Sequence, residues 1–259
     1  MPKHETLDEY KSGDVKRFKT EKGKTYRVAF LSPDMVSTIN HFILNPSGEK
    51  GGRAIVCHGT SAKERRNFEE YFIEGFDCCE RFYDNDKKKS TSKLKFGFVV
   101  GQYIGVNEKG NFPDPKRPSG SLEVKIYTSQ DSRFIKKLVD KCDSLIADAA
   151  GEGVTLTRGE VMIAHDWIFS VENNEFKEIE LTSKAVSAWS SFSEEVKEEI
   201  MADTRGCVAM LNSENYLAQN YTLEEYTREV VEAGSPASQA DDAPPKNVSK
   251  ILDDDDPFA

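Results

Sequence analysis

Leu94-Lys95-Phe96-Gly97-Phe98-Val99-Val100-Gly101-Gln102-Tyr103-Ile104-Gly105-Val106 is the stretch that decides the fold class of this chain. It is rich in β-branched and aromatic residues and alternates in character, which predicts a long strand. A second run, Ser121-Leu122-Glu123-Val124-Lys125-Ile126-Tyr127-Thr128, alternates cleanly and predicts its neighbour. Between them, residues 107–120 carry three prolines and two glycines, too broken for a regular element.

Working outward, Thr25 to Leu31 reads as a first strand ended by Pro33. Residues 39–44 read as a second strand, followed by the turn Asn45-Pro46-Ser47-Gly48, and residues 53–58 as a third before Gly59. Phe68, Tyr71, Phe72 and Phe76 recur at helical spacing and predict a packed helix. Ser132 is placed to cap a helix whose Phe134, Ile135, Leu138, Val139, Cys142, Leu145 and Ile146 line one face until Gly151. Residues 154–181 read as β-structure turning at Asn173-Asn174. Helices follow over Ser193–Thr204 and from the capping box Thr222-Leu223-Glu224-Glu225. The expected class is mainly β with peripheral helices (α+β). The expected organisation is a charged, flexible arm over 1–21, a binding core over 22–182, a helical extension over 183–233, and a disordered linker with an acidic tip over 234–259.

Charge is distributed unevenly. The chain has 259 residues and a net charge of −10. Residues 1–137 hold 26 Lys+Arg against 19 Asp+Glu, a net +7, whereas residues 138–259 hold 9 against 26, a net −17. Within residues 87–137 the count is 12 basic to 4 acidic. A basic front and an acidic rear point to a polyanionic ligand for the first and a competing or partner-seeking role for the second. No run of apolar residues is long enough for a membrane span, and five cysteines, an odd number, suit a reducing compartment. The expected location is the cytoplasm.

The basic segment interleaves cations with aromatic rings, the mixture that single-stranded nucleic acid requires: cations follow phosphates, and rings stack on bases regardless of sequence. The candidate contacts are Tyr83, Lys87, Lys88, Lys89, Lys93, Lys95, Phe98, Tyr103, Lys116, Arg117, Lys125 and Tyr127. A second tier comprises Tyr26, Arg27, Arg53, Lys63, Arg65 and Arg66. Phe96 and Phe98 share one face of the alternating run and are weighted toward the core. Tyr83, Tyr103 and Tyr127 are the better stackers because a tyrosine tolerates a wet edge.

Cys57-His58 and Cys78-Cys79 raise a zinc reading, but ribbon ligands stand two to four residues apart and adjacent ligands strain that chelate. The expectation is therefore no metal, no cofactor and buried thiols. Enzyme signatures are missing too. Gly23-Lys24-Thr25 has Phe18 where a phosphate loop needs its first glycine, and neither His-Glu-x-x-His nor Gly-x-Ser-x-Gly occurs. His165-Asp166 is a weak metal-ligand pair, so the chain is not expected to be an enzyme.

The C-terminus, Ile251-Leu252-Asp253-Asp254-Asp255-Asp256-Pro257-Phe258-Ala259, sets four carboxylates before an apolar hook. Asp253, Asp254, Asp255, Asp256, Pro257 and Phe258 form a candidate partner-binding tip. It resembles the acidic tip of bacterial and phage single-stranded-DNA-binding proteins, with Ala259 as a departure. The middle of the chain resembles the phage replicative single-stranded-DNA-binding proteins of the T-even helix-destabilising type. Cys57 to Cys79, Lys87 to Lys95, Phe96 to Gly105, Val106-Asn107-Glu108-Lys109-Gly110, Leu122 to Thr128 and Phe134 to Val139 occur in the family's order over about half the chain. That family includes a zinc-binding relative, whose ligand spacing is not matched here. The resemblance implies an oligonucleotide-binding (OB) five-stranded barrel, an N-terminal arm for cooperativity, and a tail that recruits replication proteins. The expected function is sequence-independent coating of single-stranded DNA in phage replication, recombination and repair. Its expected partners are single-stranded DNA, polymerase, helicase or primase, recombinase, and further copies of itself on DNA, with no membrane. The rival is a protein-binding adaptor or transcription regulator acting through the tail.

Overall fold

A computed structural model of the protein describes residues 17–44, 52–65, 67–85, 88–113, 122–130, 132–172, 175–181, 187–213 and 215–231. The strands are β1 (Thr25–Phe30), β2 (Val36–Leu44), β3 (Gly52–Val56), β4 (Tyr83–Asp84), β5 (Lys89–Ser90), β6 (Lys93–Tyr103), β7 (Leu122–Ser129), β8 (Asp166–Glu172) and β9 (Glu175–Leu181). The helices are α1 (Thr60–Lys63), α2 (Cys78–Arg81), α3 (Ser132–Gly151), α4 (Arg158–Ala164), α5 (Glu194–Leu211) and α6 (Leu223–Glu225), the last running into a π-helical turn over Tyr226–Val231. The fold is mixed α+β, with mostly antiparallel strand pairing. No helix among the described residues is long and apolar enough to cross a membrane. The chain forms two compact units, Met1–Val36 with Phe96–Ser213, and Ser37–Lys95 with Glu214–Ala259.

In the first unit β6 pairs with β7 on one edge and β1 on the other, β1 pairs with β8, and β8 with β9, all antiparallel. Among the described residues no pairing joins β7 to β9, so the described strands do not close a barrel. Rings fill the interior: Phe30 packs edge-on against Phe98, Trp167 and Phe169, and Phe134 of α3 against Tyr127 and Phe169. Helix α3 buries Phe134, Ile135, Leu138 and Cys142, the stripe that its spacing predicts. Helix α5 buries Ile200, Thr204, Cys207 and Leu211 by the same periodicity.

Two expectations fail here. The stretch from Phe68 to Phe76 is a short 3-10 turn (Glu69–Tyr71) followed by extended backbone, and Gly75 at φ 92° ends any helical path. Phe68 and Phe76 are nevertheless buried, so their spacing reported burial without reporting a helix. Within 154–181, α4 precedes the strands. Thr157 accepts from Glu160 N, and Glu160 returns a bond to Thr157 N, a capping box that the β-reading overlooked.

One buried polar knot organises this unit. Asp166 opens β8, and its carboxylate accepts from Arg27 Nε at 3.0 Å and Arg27 Nη2 at 2.7 Å. It also accepts from the Tyr103 hydroxyl at 2.7 Å, the Ala188 N–H at 3.2 Å and the Ser187 hydroxyl. The Tyr103 oxygen in turn accepts from Trp189 N at 2.9 Å, and the Arg27 guanidinium lies 4.2 Å from the Phe112 ring centroid. A buried carboxylate is tolerated only when its lone pairs are filled, and here arginine, hydroxyls and a backbone amide fill them. Removing one partner leaves the other charge stranded. Asp166→Ala is therefore expected to cost about 3–5 kcal/mol, seen as a lower urea midpoint by the fluorescence of the adjoining buried Trp167, while substitution of exposed Glu160 on α4 by alanine moves it far less.

A candidate metal centre and nucleic-acid face

Four ligand-type side chains of the second unit converge. On β2, His41 stands opposite Ile55 of β3, and the Cys57 N–H donating to Ile39 O at 2.8 Å carries the ladder two residues further. By strand alternation His41 and Cys57 therefore share a face. Cys78 and Cys79 open α2 against that face. The sulfur of Cys57 lies 3.4 Å from that of Cys79 and 4.0 Å from that of Cys78, and His41 Nε2 lies 3.8 Å from Cys79 Sγ. All four ligand atoms fall within 4.8 Å of one another, and all four residues are buried. Tetrahedral zinc–thiolate bonds of ~2.3 Å place sulfurs roughly 3.8 Å apart, so the cluster has the dimensions of a Cys3His zinc site.

The surroundings support that fit. A Cβ on Gly59 would lie 2.9 Å from Cys79 Sγ and 3.0 Å from Cys78 Sγ, so only glycine lets the backbone pass the sulfurs. The Ser61 N–H donates to Cys79 Sγ at 3.3 Å. His41 Nδ1 meets the Thr91 hydroxyl at 3.4 Å, which orients Nε2 toward the thiols. Within the trio, hydrogen bonds from Cys57 and then Cys78 pull the Cys79 thiol far below its ordinary range, and bonding to Cys78 and Cys79 pushes Cys57 far above it. For Cys78 the bond from Cys57 lowers, but the bond to Cys79, burial and the charge of Cys79 raise it to about 11. Binding a divalent cation here would release the protons that these thiols hold, as thiolate ligation requires. Cys142 and Cys207 lie outside it, and burial pushes each thiol up to about 12.

The sequence argument against zinc assumed a chelate built from Cys57-His58 and Cys78-Cys79. His58 is turned elsewhere: Nδ1 donates to Tyr71 O at 2.6 Å, and Nε2 meets the Asn220 side chain at 2.6 Å. The fourth corner comes from His41, 16 residues upstream of Cys57, a separation that strand pairing erases. With His41 on β2 and Cys57 just past β3 supplying two corners, adjacent cysteines need supply only the other two.

The expected nucleic-acid residues divide between the units. In the first unit Phe98, Tyr103 and Tyr127 are core, 2%, 1% and 5% exposed. Residues 96–101 of β6 are buried on both faces, so alternation does not single out an outer side. The Tyr103 hydroxyl, expected to seek water, is satisfied by Asp166 and Trp189, and burial followed by the Asp166 charge drives its pKa upward. Arg27 belongs to the same knot, which also occupies the carboxylate of the His165-Asp166 pair. Tyr26 is half-buried, its hydroxyl accepting from Glu21 N at 2.8 Å, and Lys125 bonds Gln102 at 2.7 Å and Glu123 at 2.8 Å.

Of the candidate cations, the exposed ones lie in the second unit. Lys63, Arg65, Lys88, Lys89 and Lys93 are exposed, and Tyr83 is half-buried on the β4–β5 hairpin, where it pairs with Ser90. Lys88 turns that hairpin at φ 53°, a left-handed position unusual for a lysine. Lys63 Nζ lies 4.9 Å from the Phe72 ring centroid. Lys95 Nζ donates to Leu217 O at 3.0 Å, and Arg53 is half-exposed against Glu229 and Tyr221. Arg66, Lys87, Lys116, Arg117 and the tip Asp253, Asp254, Asp255, Asp256, Pro257 and Phe258 lie outside the described residues, as do the arm before residue 17 and the linker.

No protein-family model matches the chain, and no curated protein matches it significantly.

The purified protein is expected to carry one zinc per chain by plasma mass spectrometry, lost in His41→Ala and Cys79→Ser. Thr91→Ala, which removes the hydroxyl behind His41, should weaken zinc retention against a competing chelator by about 10- to 100-fold, and Gly59→Ala should weaken it by crowding the sulfurs.

Proposed function

We propose that the protein is a sequence-independent single-stranded-DNA-binding protein of phage replication, recombination and repair, with an OB-type barrel as its core fold. The observation that carries this reading is that five of the candidate phosphate contacts, Lys63, Arg65, Lys88, Lys89 and Lys93, are exposed in one compact unit. The long strand β6, antiparallel to β1 on one edge and β7 on the other, is consistent with the barrel. Within this reading His41, Cys57, Cys78 and Cys79 hold a structural zinc, which supplies a cross-link between strands and α2 in a unit made largely of short elements. The surrounding cations then face the phosphates from a fixed frame.

Binding single strands more tightly than duplex shifts the melting equilibrium, so hairpins are removed without any covalent step. The aspartates Asp253 to Asp256 compete for the cations at high effective concentration, and DNA displaces them and frees Phe258 for polymerase, helicase, primase or recombinase. Burial of Phe98, Tyr103 and Tyr127 is what favours the rival adaptor reading, because it removes three expected stacking surfaces.

Anisotropy of a labelled oligo(dT) should show saturable binding that weakens with salt. The log–log slope should become shallower by about 2 in the triple variant Lys88→Ala, Lys89→Ala, Lys93→Ala, at roughly 0.7 per phosphate contact. Deleting residues 252–259 should tighten binding and abolish partner recruitment. Absence of binding at low salt, with or without the tail, would replace this reading by the adaptor.

A further inference from the structure

Phe42 stands apart from every other described aromatic residue. It is 49% exposed, whereas the other aromatic residues whose burial is described are buried or half-buried. Its position follows from strand alternation. On β2, Ile39, His41 and Ile43 point into the buried cluster with Cys57, and Phe42 points the other way, opposite Ala54 of β3. One pair further along, Leu44 faces Gly52. A Cβ on Gly52 would lie 2.8 Å from both Cε1 and Cζ of Phe42, so the ring rests against bare glycine backbone. On the β3 side its neighbours are glycine and alanine, and about half of the residue stays exposed.

We propose that Phe42 is a nucleobase-stacking platform, the aromatic partner for one base of single-stranded nucleic acid bound by the second unit. This rests on the single-stranded-DNA reading and replaces Phe98, Tyr103 and Tyr127 as its stacking element. The ring is held on a strand whose opposite face carries His41, so the cluster that orders the unit also orders the platform. The neighbours Ala54 and Gly52 offer no side-chain donor or acceptor to read a base edge, which suits sequence-independent binding. One ring flanked by two small residues is also far smaller than the ~1,200 Å² that a stable protein interface buries. The exposed cations of the same unit supply the phosphate contacts that a single stack lacks.

The test compares wild type with Phe42→Leu and Phe42→Trp on labelled dT8 and on an abasic eight-mer with the same phosphates. Phe42→Leu keeps apolar bulk and removes the π-face. It should weaken dT8 binding by about 5- to 100-fold, leave the salt slope unchanged, and leave binding of the abasic strand at the wild-type level. Phe42→Trp should restore dT8 binding. Photo-cross-linking of wild type to a 5-iodouracil oligomer should mark the peptide that contains residue 42, a readout independent of any variant's folding. Equal dT8 affinity in wild type and Phe42→Leu, or an equal loss on the abasic strand, overturns the platform while the DNA reading stands. A change in sedimentation with unchanged dT8 affinity assigns the ring to a second copy of the chain and also overturns it. Failure of wild type to bind dT8 at low salt overturns both readings.

Discussion

Three thiols and one imidazole meeting within 4.8 Å set the terms for the second unit. Several of its regular elements are short: α1 and α2 have four residues each, and β4 and β5 two. Helices and strands of that length have no independent stability. Order must come from side chains, and the buried cluster of Ile39, Ile43, Ile55, Phe68, Phe76, Phe82 and Tyr226 gathers around Cys57, Cys78 and Cys79. The close pass of Gly59, the Ser61 N–H on Cys79 and the Thr91 hydroxyl on His41 are consequences of that convergence. Hydrogen bonds within the trio push the Cys57 thiol up and pull the Cys79 thiol down.

The first unit solves a comparable problem without a metal-type cluster. Asp166 is an ionisable group in an aromatic interior, and the chain surrounds it with Arg27, Tyr103, Ser187 and the Ala188 amide. That arrangement accounts for two residues whose chemistry suggested DNA contact. Arg27 and Tyr103 have the right groups for phosphate and base, but their donors are committed inward. The exposed cations of the second unit carry no such commitment to a buried carboxylate, and Phe42 supplies the exposed ring that the tyrosines do not.

Legibility in the sequence followed the range of the interaction. The strands at β1, β6 and β7, the stripe of α3 and the capping box at Thr222 were readable because alternation, helical spacing and capping act within a few residues. Phe68 to Phe76 misled because spacing records which side chains are buried, and a 3-10 turn with extended backbone buries Phe68 and Phe76 just as a helix would. The α4 capping box, Thr157 to Glu160, was present as a local signal and was passed over in favour of β-propensity.

The sequence by itself determined the α+β class, the segregation of basic front from acidic rear, and the positions of the principal strands and of α3, since each depends on composition or on neighbours close along the chain. Only the tertiary structure decided which cations stay free, which tyrosines turn inward, and that His41 rather than His58 joins the cysteines. Those outcomes depend on strand register and on contacts between residues far apart in the chain, such as Arg27 with Asp166, 139 positions away. A one-residue change of register reverses the face of every side chain on a strand, so no local pattern could have assigned His41 inward and Phe42 outward.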